Sequence, residues 1–173
     1  MRSRARVWWA AAFAVVVTAT TVGVSVRAAS PAPSAGSPRP VSAHATARGP
    51  HALAVLRRWD RRRAAAWAAG DPAALARLYV AGSRTGRRDV RDLRRWRERG
   101  LRVTGLRQQV AALSLRRRTP DRLTVVVIDR TVDGVALGGP YRQGLPRSAW
   151  LAHLITLRRV GGTWLVADAL PVR

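Results

Sequence analysis

The first apolar positions of the chain form one uninterrupted run. Residues 7–26 carry no charged side chain, three arginines precede them, and Arg27 follows. Twenty helical residues rise about 1.5 Å each and so span the hydrocarbon core of a bilayer, about 30 Å thick. The pattern predicts a transmembrane anchor over residues 7–26. Residues 1–6 are expected in the cytoplasm, because basic residues favour the inner side.

A cleavable signal peptide is the alternative interpretation of this run. The apolar core of a signal peptide is usually about 7–15 residues long and ends at a small-x-small site. The run is longer than that, and residues 26–28 and 43–45 fit such a site poorly. We therefore expect a single-pass membrane protein with its C-terminal domain outside the cytoplasm. The alternative is a protein secreted after cleavage, and both interpretations export the domain.

Residues 27–50 change the pattern, because they are rich in Pro, Ala and Ser and nearly free of large apolar side chains. Such a segment buries too little apolar surface to offset the entropy lost on ordering the chain. We expect a disordered linker over residues 27–50. A single folded domain is then expected over residues 51–173.

Helical periodicity marks the first half of this domain. Apolar residues at helical spacing predict a helix over residues 51–70. Asp71 and Pro72 supply an N-cap and a first helical residue for a short helix that runs through Tyr79. A third helix is predicted over residues 89–99.

After Gly100 the period changes to two, which is typical of strands. Four strands are predicted, over residues 101–116, 123–132, 150–160 and 163–170. Gly105 indicates a bulge, residues 133–146 a Gly/Pro-rich loop, and Gly161-Gly162 a hairpin turn. The second strand has apolar β-branched residues on both faces, so we expect it to be central and buried on both sides. Helices followed by a meandering sheet predict an α+β domain, with the helices packed into a strongly curved, cone-like antiparallel sheet.

The net charge of the chain is informative about its surface and its binding partners more than about its fold. The formal net charge is +23, and all 32 basic residues are arginine. Either a GC-rich genome or selection for a polyanionic partner produces such a bias, so charge alone identifies no partner. Outside the cytoplasm, an envelope protein or an anionic polymer is the expected partner besides the membrane, and no nucleic acid is expected.

The residue types limit the chemistry. The chain has no cysteine, which excludes disulfides, thiolate metal sites, cysteine nucleophiles and a lipidated cysteine. Its three histidines lack the spacing of a metal site. Gly-rich phosphate loops, nucleophile elbows and zinc-protease motifs are also missing from the sequence. We therefore expect neither a metal nor a cofactor.

Several segments of the domain are similar to a known family. Residues 63–72, followed by the apolar positions up to Tyr79 and by Gly82-Ser83, resemble the opening of the cone-shaped superfamily typified by nuclear transport factor 2. Residues 99–105, the Asp129-Arg130 pair and residues 161–166 look like anchored actinobacterial members of unassigned function. The resemblance implies the cone fold, in which dimers are frequent, so a homodimer is a further expectation. Some members are cyclases, isomerases or dehydratases that place an acid or base inside the cone.

Three residues are candidates for such a site. Asp129 ends an apolar strand face, where burial raises a carboxyl pKa and suits a general base. His153 shares a strand face with apolar residues, and Tyr79 lies where the mouth of a cone is expected. Each also fits a structural role as an ion-paired acid, a core histidine or a packing aromatic. The sequence therefore predicts a non-catalytic accessory or binding module, with a small isomerase, cyclase or dehydratase using acid-base chemistry as the alternative.

Overall fold

The structure is a computed structural model and describes residues 48–172. The predicted cytoplasmic residues 1–6, the anchor over residues 7–26 and nearly all of the linker over residues 27–50 lie outside the described residues. Within residues 48–172, no helix has the length and apolar character needed to cross a membrane.

Three helices open the described part of the chain: α1 (Arg48–Ala69), α2 (Pro72–Ala76) and α3 (Arg84–Glu98). α1 begins at Arg48, three residues before the start of the helix predicted over residues 51–70. Pro50 does not prevent this, because the first turn of a helix tolerates proline. Asp71 caps α2 as predicted, accepting hydrogen bonds from the amides of Ala73 and Ala74 at 2.9 Å.

The other two helices differ from the prediction at one end each. α2 stops at Ala76 instead of continuing to Tyr79, because Tyr79 forms an isolated parallel bridge with Val166. α3 begins five residues earlier than residue 89, because the Ser83 hydroxyl caps it by accepting the Gly86 amide at 3.0 Å. The bridge between Tyr79 and the sheet thus ends α2 earlier than predicted, and the Ser83 cap starts α3 earlier than predicted.

The sheet has five antiparallel strands: β1 (Arg102–Arg118), β2 (Arg122–Gly138), β3 (Tyr141–Gly144), β4 (Leu151–Val160) and β5 (Thr163–Pro171). Their order is β1-β2-β4-β5, and β3 pairs with the end of β2. The predicted bulge is confirmed, since Gly105 has φ +67° at a register shift of β1. Gly161 and Gly162 form the predicted turn between β4 and β5, with φ values of +54° and +79°.

The loop predicted over residues 133–146 is wrong. β2 continues to Gly138, and its end pairs with both β1 and β3. A Cβ atom at Gly138 would lie 2.5 Å from the carbonyl oxygen of Gly100. This glycine therefore marks a close approach of two backbone segments and not the end of a strand.

β2 is central, as expected, but only one of its faces is fully buried. Val125 and Val127 are 1% and 0% exposed, whereas Ile128 on the other face is 40% exposed. The helices explain the difference, because they cover the sheet from the first face alone. Their side chains meet the inner strand residues in one core, which includes Leu56, Leu75, Leu93, Leu123, Leu157 and Val166.

Candidate functional site

A buried carboxylate, Asp89, joins two helices and the segment that follows α2. Its Oδ1 atom accepts hydrogen bonds from Nη2 of Arg63 at 2.6 Å and Nε1 of Trp67 at 3.2 Å. Its Oδ2 atom accepts from Nε of Arg63 at 2.7 Å and the Tyr79 hydroxyl at 2.6 Å. Arg63 and Trp67 lie on α1, and Asp89 on α3. We call these four residues, Arg63, Trp67, Tyr79 and Asp89, the Asp89 cluster.

The protonation of the Asp89 cluster follows from its contacts. Burial acts to raise the pKa of Asp89, but the Arg63 charge and the hydrogen bonds from its neighbours hold that pKa below its ordinary value. Burial, together with the Asp89 carboxylate, raises the pKa of Tyr79 despite the opposing charge of Arg63. Asp89 is therefore ionised and Tyr79 protonated around neutral pH.

Packing fixes the Tyr79 ring from two sides. Trp59 meets it edge to face, with ring centroids 5.4 Å apart and planes at 84°. On the other side, a Cβ atom at Gly86 would lie 2.6 Å from Cγ of Tyr79. Trp59 is itself held by a 2.9 Å hydrogen bond from its indole to the Leu78 carbonyl. Tyr79 therefore belongs to the Asp89 cluster and not with the other two candidate residues.

The structure brings those two candidates, Asp129 and His153, together. His153 on β4 stands opposite Val127 on β2, so Asp129 is its diagonal neighbour on the same face. Nδ1 of His153 lies 2.9 Å from Oδ1 of Asp129, and their side chains are 20% and 18% exposed. The pair is thus partly open to solvent on the face of the sheet that carries the core.

Asp60 on α1 belongs to the same region. Burial raises its pKa to about 6, the Arg63 charge opposes this, and the charge of Asp129 adds to it. No feature of the sequence predicts that Asp60 is an acid with a raised pKa. Asp60 stands three residues before Arg63, a spacing that predicts an ordinary ion pair on the helix surface. Arg63 instead pairs with Asp89, and Asp60 lies near enough to Asp129 on β2 for their charges to interact.

The three acid-base groups Asp60, Asp129 and His153 do not have the arrangement of a metal site. Among residues 48–172, no group of three or more His, Asp or Glu residues has an arrangement that could hold a metal ion. Two surface cavities lie elsewhere. One of about 590 Å³ is lined by Arg97, Arg102 and Arg142 among others, and one of about 510 Å³ lies at the β1–β2 turn.

Comparison with solved structures gives the fold. The intermembrane space region of the chloroplast protein ARC6 has a TM-score of 0.54 at 9% identity, over 72% of this chain and 95% of that one. Aln2 from a Streptomyces species has a TM-score of 0.49 at 14% identity, over 72% of this chain and 91% of that one. A putative scytalone dehydratase from Novosphingobium aromaticivorans has a TM-score of 0.47 at 11% identity, over 73% and 86%.

Structural similarity at 9–14% sequence identity shows a shared fold and not a shared activity. No protein-family model and no curated protein matches the sequence. The described residues share the fold of that ARC6 region, with helices packed on one face of an antiparallel sheet, which confirms the α+β class that the sequence predicted.

Proposed function

We propose that this protein is a non-catalytic accessory or binding module that works outside the cytoplasm, held at the cell membrane by residues 7–26. The observation that carries the proposal is the interior of the cone, where side chains pack against one another. Leu75, Leu93 and Val127 are each 0% exposed there. Such an interior stabilises a rigid platform and leaves the outer surface for binding.

The Asp89 cluster supports this interpretation. A general acid or base works best with a pKa near the operating pH. Asp89 has its pKa moved down and Tyr79 has its pKa moved up, so neither exchanges a proton readily near neutral pH. Among the described residues, every fully buried side-chain nitrogen or oxygen has a hydrogen-bond partner. The cluster thus acts as a structural clamp between α1 and α3.

The outer surface offers the means of binding. Seven arginines on α3 are exposed: Arg84, Arg87, Arg88, Arg91, Arg94, Arg95 and Arg97. A surface of one charge sign attracts polyanions over a distance of about 8–10 Å at physiological salt. An envelope protein or an anionic polymer is therefore the proposed partner, besides the membrane itself.

A homodimer is also part of the proposal. The sheet face that the helices leave uncovered exposes Ile128, Trp150, Leu170 and Val172, each between 40% and 50%. Apolar side chains grouped on one surface favour association with another protein chain. A second copy presents the same apolar face and so suits it.

General acid-base catalysis is the second candidate function, and one specific observation favours it. Asp129 holds His153 at 2.9 Å, and Asp60 has a pKa of about 6, close to the pH at which proton transfer is efficient. Such groups fit a small isomerase, cyclase or dehydratase, which moves a proton on carbon next to a carbonyl group. In such an enzyme His153 would be the base and Asp60 the acid.

Complementation separates the two candidates. A strain that lacks the protein receives the natural chain, Asp129→Asn or His153→Gln. Rescue of the cell-envelope defect that the deletion causes is then scored at matched protein levels. The binding proposal predicts that both variants restore the phenotype. Failure of both would favour catalysis, provided that Asp133→Asn complements fully. Asp133 is a matched control, because it lies on the same strand in an exposed ion pair with Arg107.

A further inference from the structure

One end of the sheet gathers three arginines from three neighbouring strands. Arg117 is the penultimate residue of β1, Arg122 begins β2, and Arg158 lies near the end of β4. All three line the cavity of about 510 Å³. The cavity also contains Thr119, Asp121, Thr156 and Ala167. We call this group the three-arginine site.

Strand register places these arginines on one face. Arg122 stands directly opposite Arg158, and Arg117 stands opposite Thr124, two residues along β2 from Arg122. Leu123 is 1% exposed and points into the core, so its neighbours Arg122 and Thr124 point to the uncovered face. The three guanidinium groups therefore share the outer surface at this end.

This arrangement is unfavourable by itself. Like charges directly opposite each other on neighbouring strands destabilise a sheet. Among residues 48–172, none of the three arginine side chains forms a hydrogen bond or an ion pair. Arg63 and Arg107, in contrast, are each paired with a carboxylate. A bound anion would relieve the repulsion between Arg122 and Arg158.

One carboxylate, Asp121, also lines the cavity. It accepts a 2.6 Å hydrogen bond from the Thr119 hydroxyl. That bond, with the charges of Arg158 and Arg122, holds the pKa of Asp121 below its ordinary value, so Asp121 stays negative. Three guanidinium groups and one carboxylate leave an excess of two positive charges, which matches a phosphate group.

We propose that the three-arginine site binds a phosphate group. Guanidinium groups recognise phosphate oxygens by paired, charge-assisted hydrogen bonds, and the Thr156 hydroxyl of the cavity adds a further donor. The identity of the phosphate's carrier rests on the proposed function. A domain outside the cytoplasm meets the headgroups of anionic phospholipids and soluble phosphate esters of the envelope, and both present the same chemistry.

The test uses the full chain in neutral maltoside micelles, titrated with inorganic phosphate by calorimetry. The natural chain is expected to bind phosphate with a saturable isotherm. Arg122→Gln combined with Arg158→Gln should weaken binding about tenfold or more. The control combines Arg58→Gln with Arg62→Gln, two exposed arginines one turn apart on α1 that do not line the cavity. It removes the same charge and should change the affinity less than about twofold.

Thermal unfolding of the same proteins gives an independent reading. Without phosphate, Arg158→Gln should unfold at a higher temperature than the natural chain, because it removes the repulsion from Arg122. Phosphate should raise the unfolding temperature of the natural chain but not that of the double variant. A double variant of normal stability that no longer responds to phosphate supports a site, because a folding defect would lower the unfolding temperature.

Two further additions identify the carrier. If phosphatidylglycerol in the micelles competes with inorganic phosphate and phosphatidylcholine does not, the carrier is a lipid headgroup. If only soluble glycerol phosphate competes, the carrier is a soluble ester. Equal losses in the double variant and the control would overturn the site, as would a lack of saturable phosphate binding. Neither result depends on which side of the membrane the domain lies. The proposed function can therefore be correct even if this inference is wrong.

Discussion

The Tyr79 hydroxyl donates a 2.6 Å hydrogen bond to Oδ2 of Asp89, and the Arg63 guanidinium holds the same carboxylate through both of its oxygens. The contact ties the segment after α2 to both long helices. It also places one buried negative charge against one buried positive charge. The stability of the domain therefore depends on keeping both partners.

Asp89→Asn should destabilise the protein by about 3–5 kcal/mol, because it leaves the buried Arg63 charge without a counter-charge. Urea unfolding followed by tryptophan fluorescence measures the change. The control is Asp92→Asn, whose carboxylate lies 3.7 Å from Arg95, a side chain that is 72% exposed. The control should cost less than about 1 kcal/mol. Equal losses in the two variants would mean that the Asp89 cluster is no clamp.

Tyr79→Phe should cost about 1.5–3 kcal/mol, because it removes one charge-assisted hydrogen bond and keeps the ring between Trp59 and Gly86. The same unfolding experiment measures it. Tyr141→Phe is a matched control, since the Tyr141 hydroxyl reaches only the exposed Gln143 side chain. A loss at Tyr79 no larger than at Tyr141 would contradict the hydrogen bond.

Gly86→Ala should destabilise the protein by about 1–3 kcal/mol, although alanine normally favours a helix. The added Cβ would lie 2.6 Å from Cγ and 2.7 Å from Cβ of Tyr79, so either Tyr79 or α3 must shift. Gly144→Ala is the control, because its added Cβ meets no atom within 4 Å. A more stable Gly86→Ala protein would show that Tyr79 can shift freely.

Asp60 makes stability depend on pH. Its pKa rises from 3.8 to about 6 on folding, so the folded state binds the proton more tightly. This contribution is fully present below about pH 4 and is lost as the pH rises through about 6. Asp60→Asn removes the dependence and should be more stable than the natural chain by about 1–3 kcal/mol at pH 7.5 but not at pH 4. Unfolding at both pH values checks this, and a difference that is the same at both would contradict the shift.

The sequence predicted the order of the elements well, because the period of apolar residues changes from helix to strand at Gly100. It also placed Asp129 and His153 on the core-facing sides of their strands, since alternation along a strand shows which residues share a face. It could not pair them, because the register between β2 and β4 depends on contacts along the whole sheet. The Arg63–Asp89 pair was missed because it joins two helices and depends on tertiary contacts. The two residues are 26 positions apart, and local spacing carries no signal for such a contact.

The location of the domain outside the cytoplasm is the central claim, and single-cysteine labelling tests it most directly. The chain has no cysteine, so Ala81→Cys, on an exposed turn of the domain, and Ser3→Cys, before the apolar run, each introduce one thiol. Intact cells are treated with a maleimide that cannot cross the membrane. We predict that Ala81→Cys is labelled in intact cells and that Ser3→Cys is labelled only after lysis. Labelling of Ala81→Cys only after lysis would place the domain in the cytoplasm and contradict the claim.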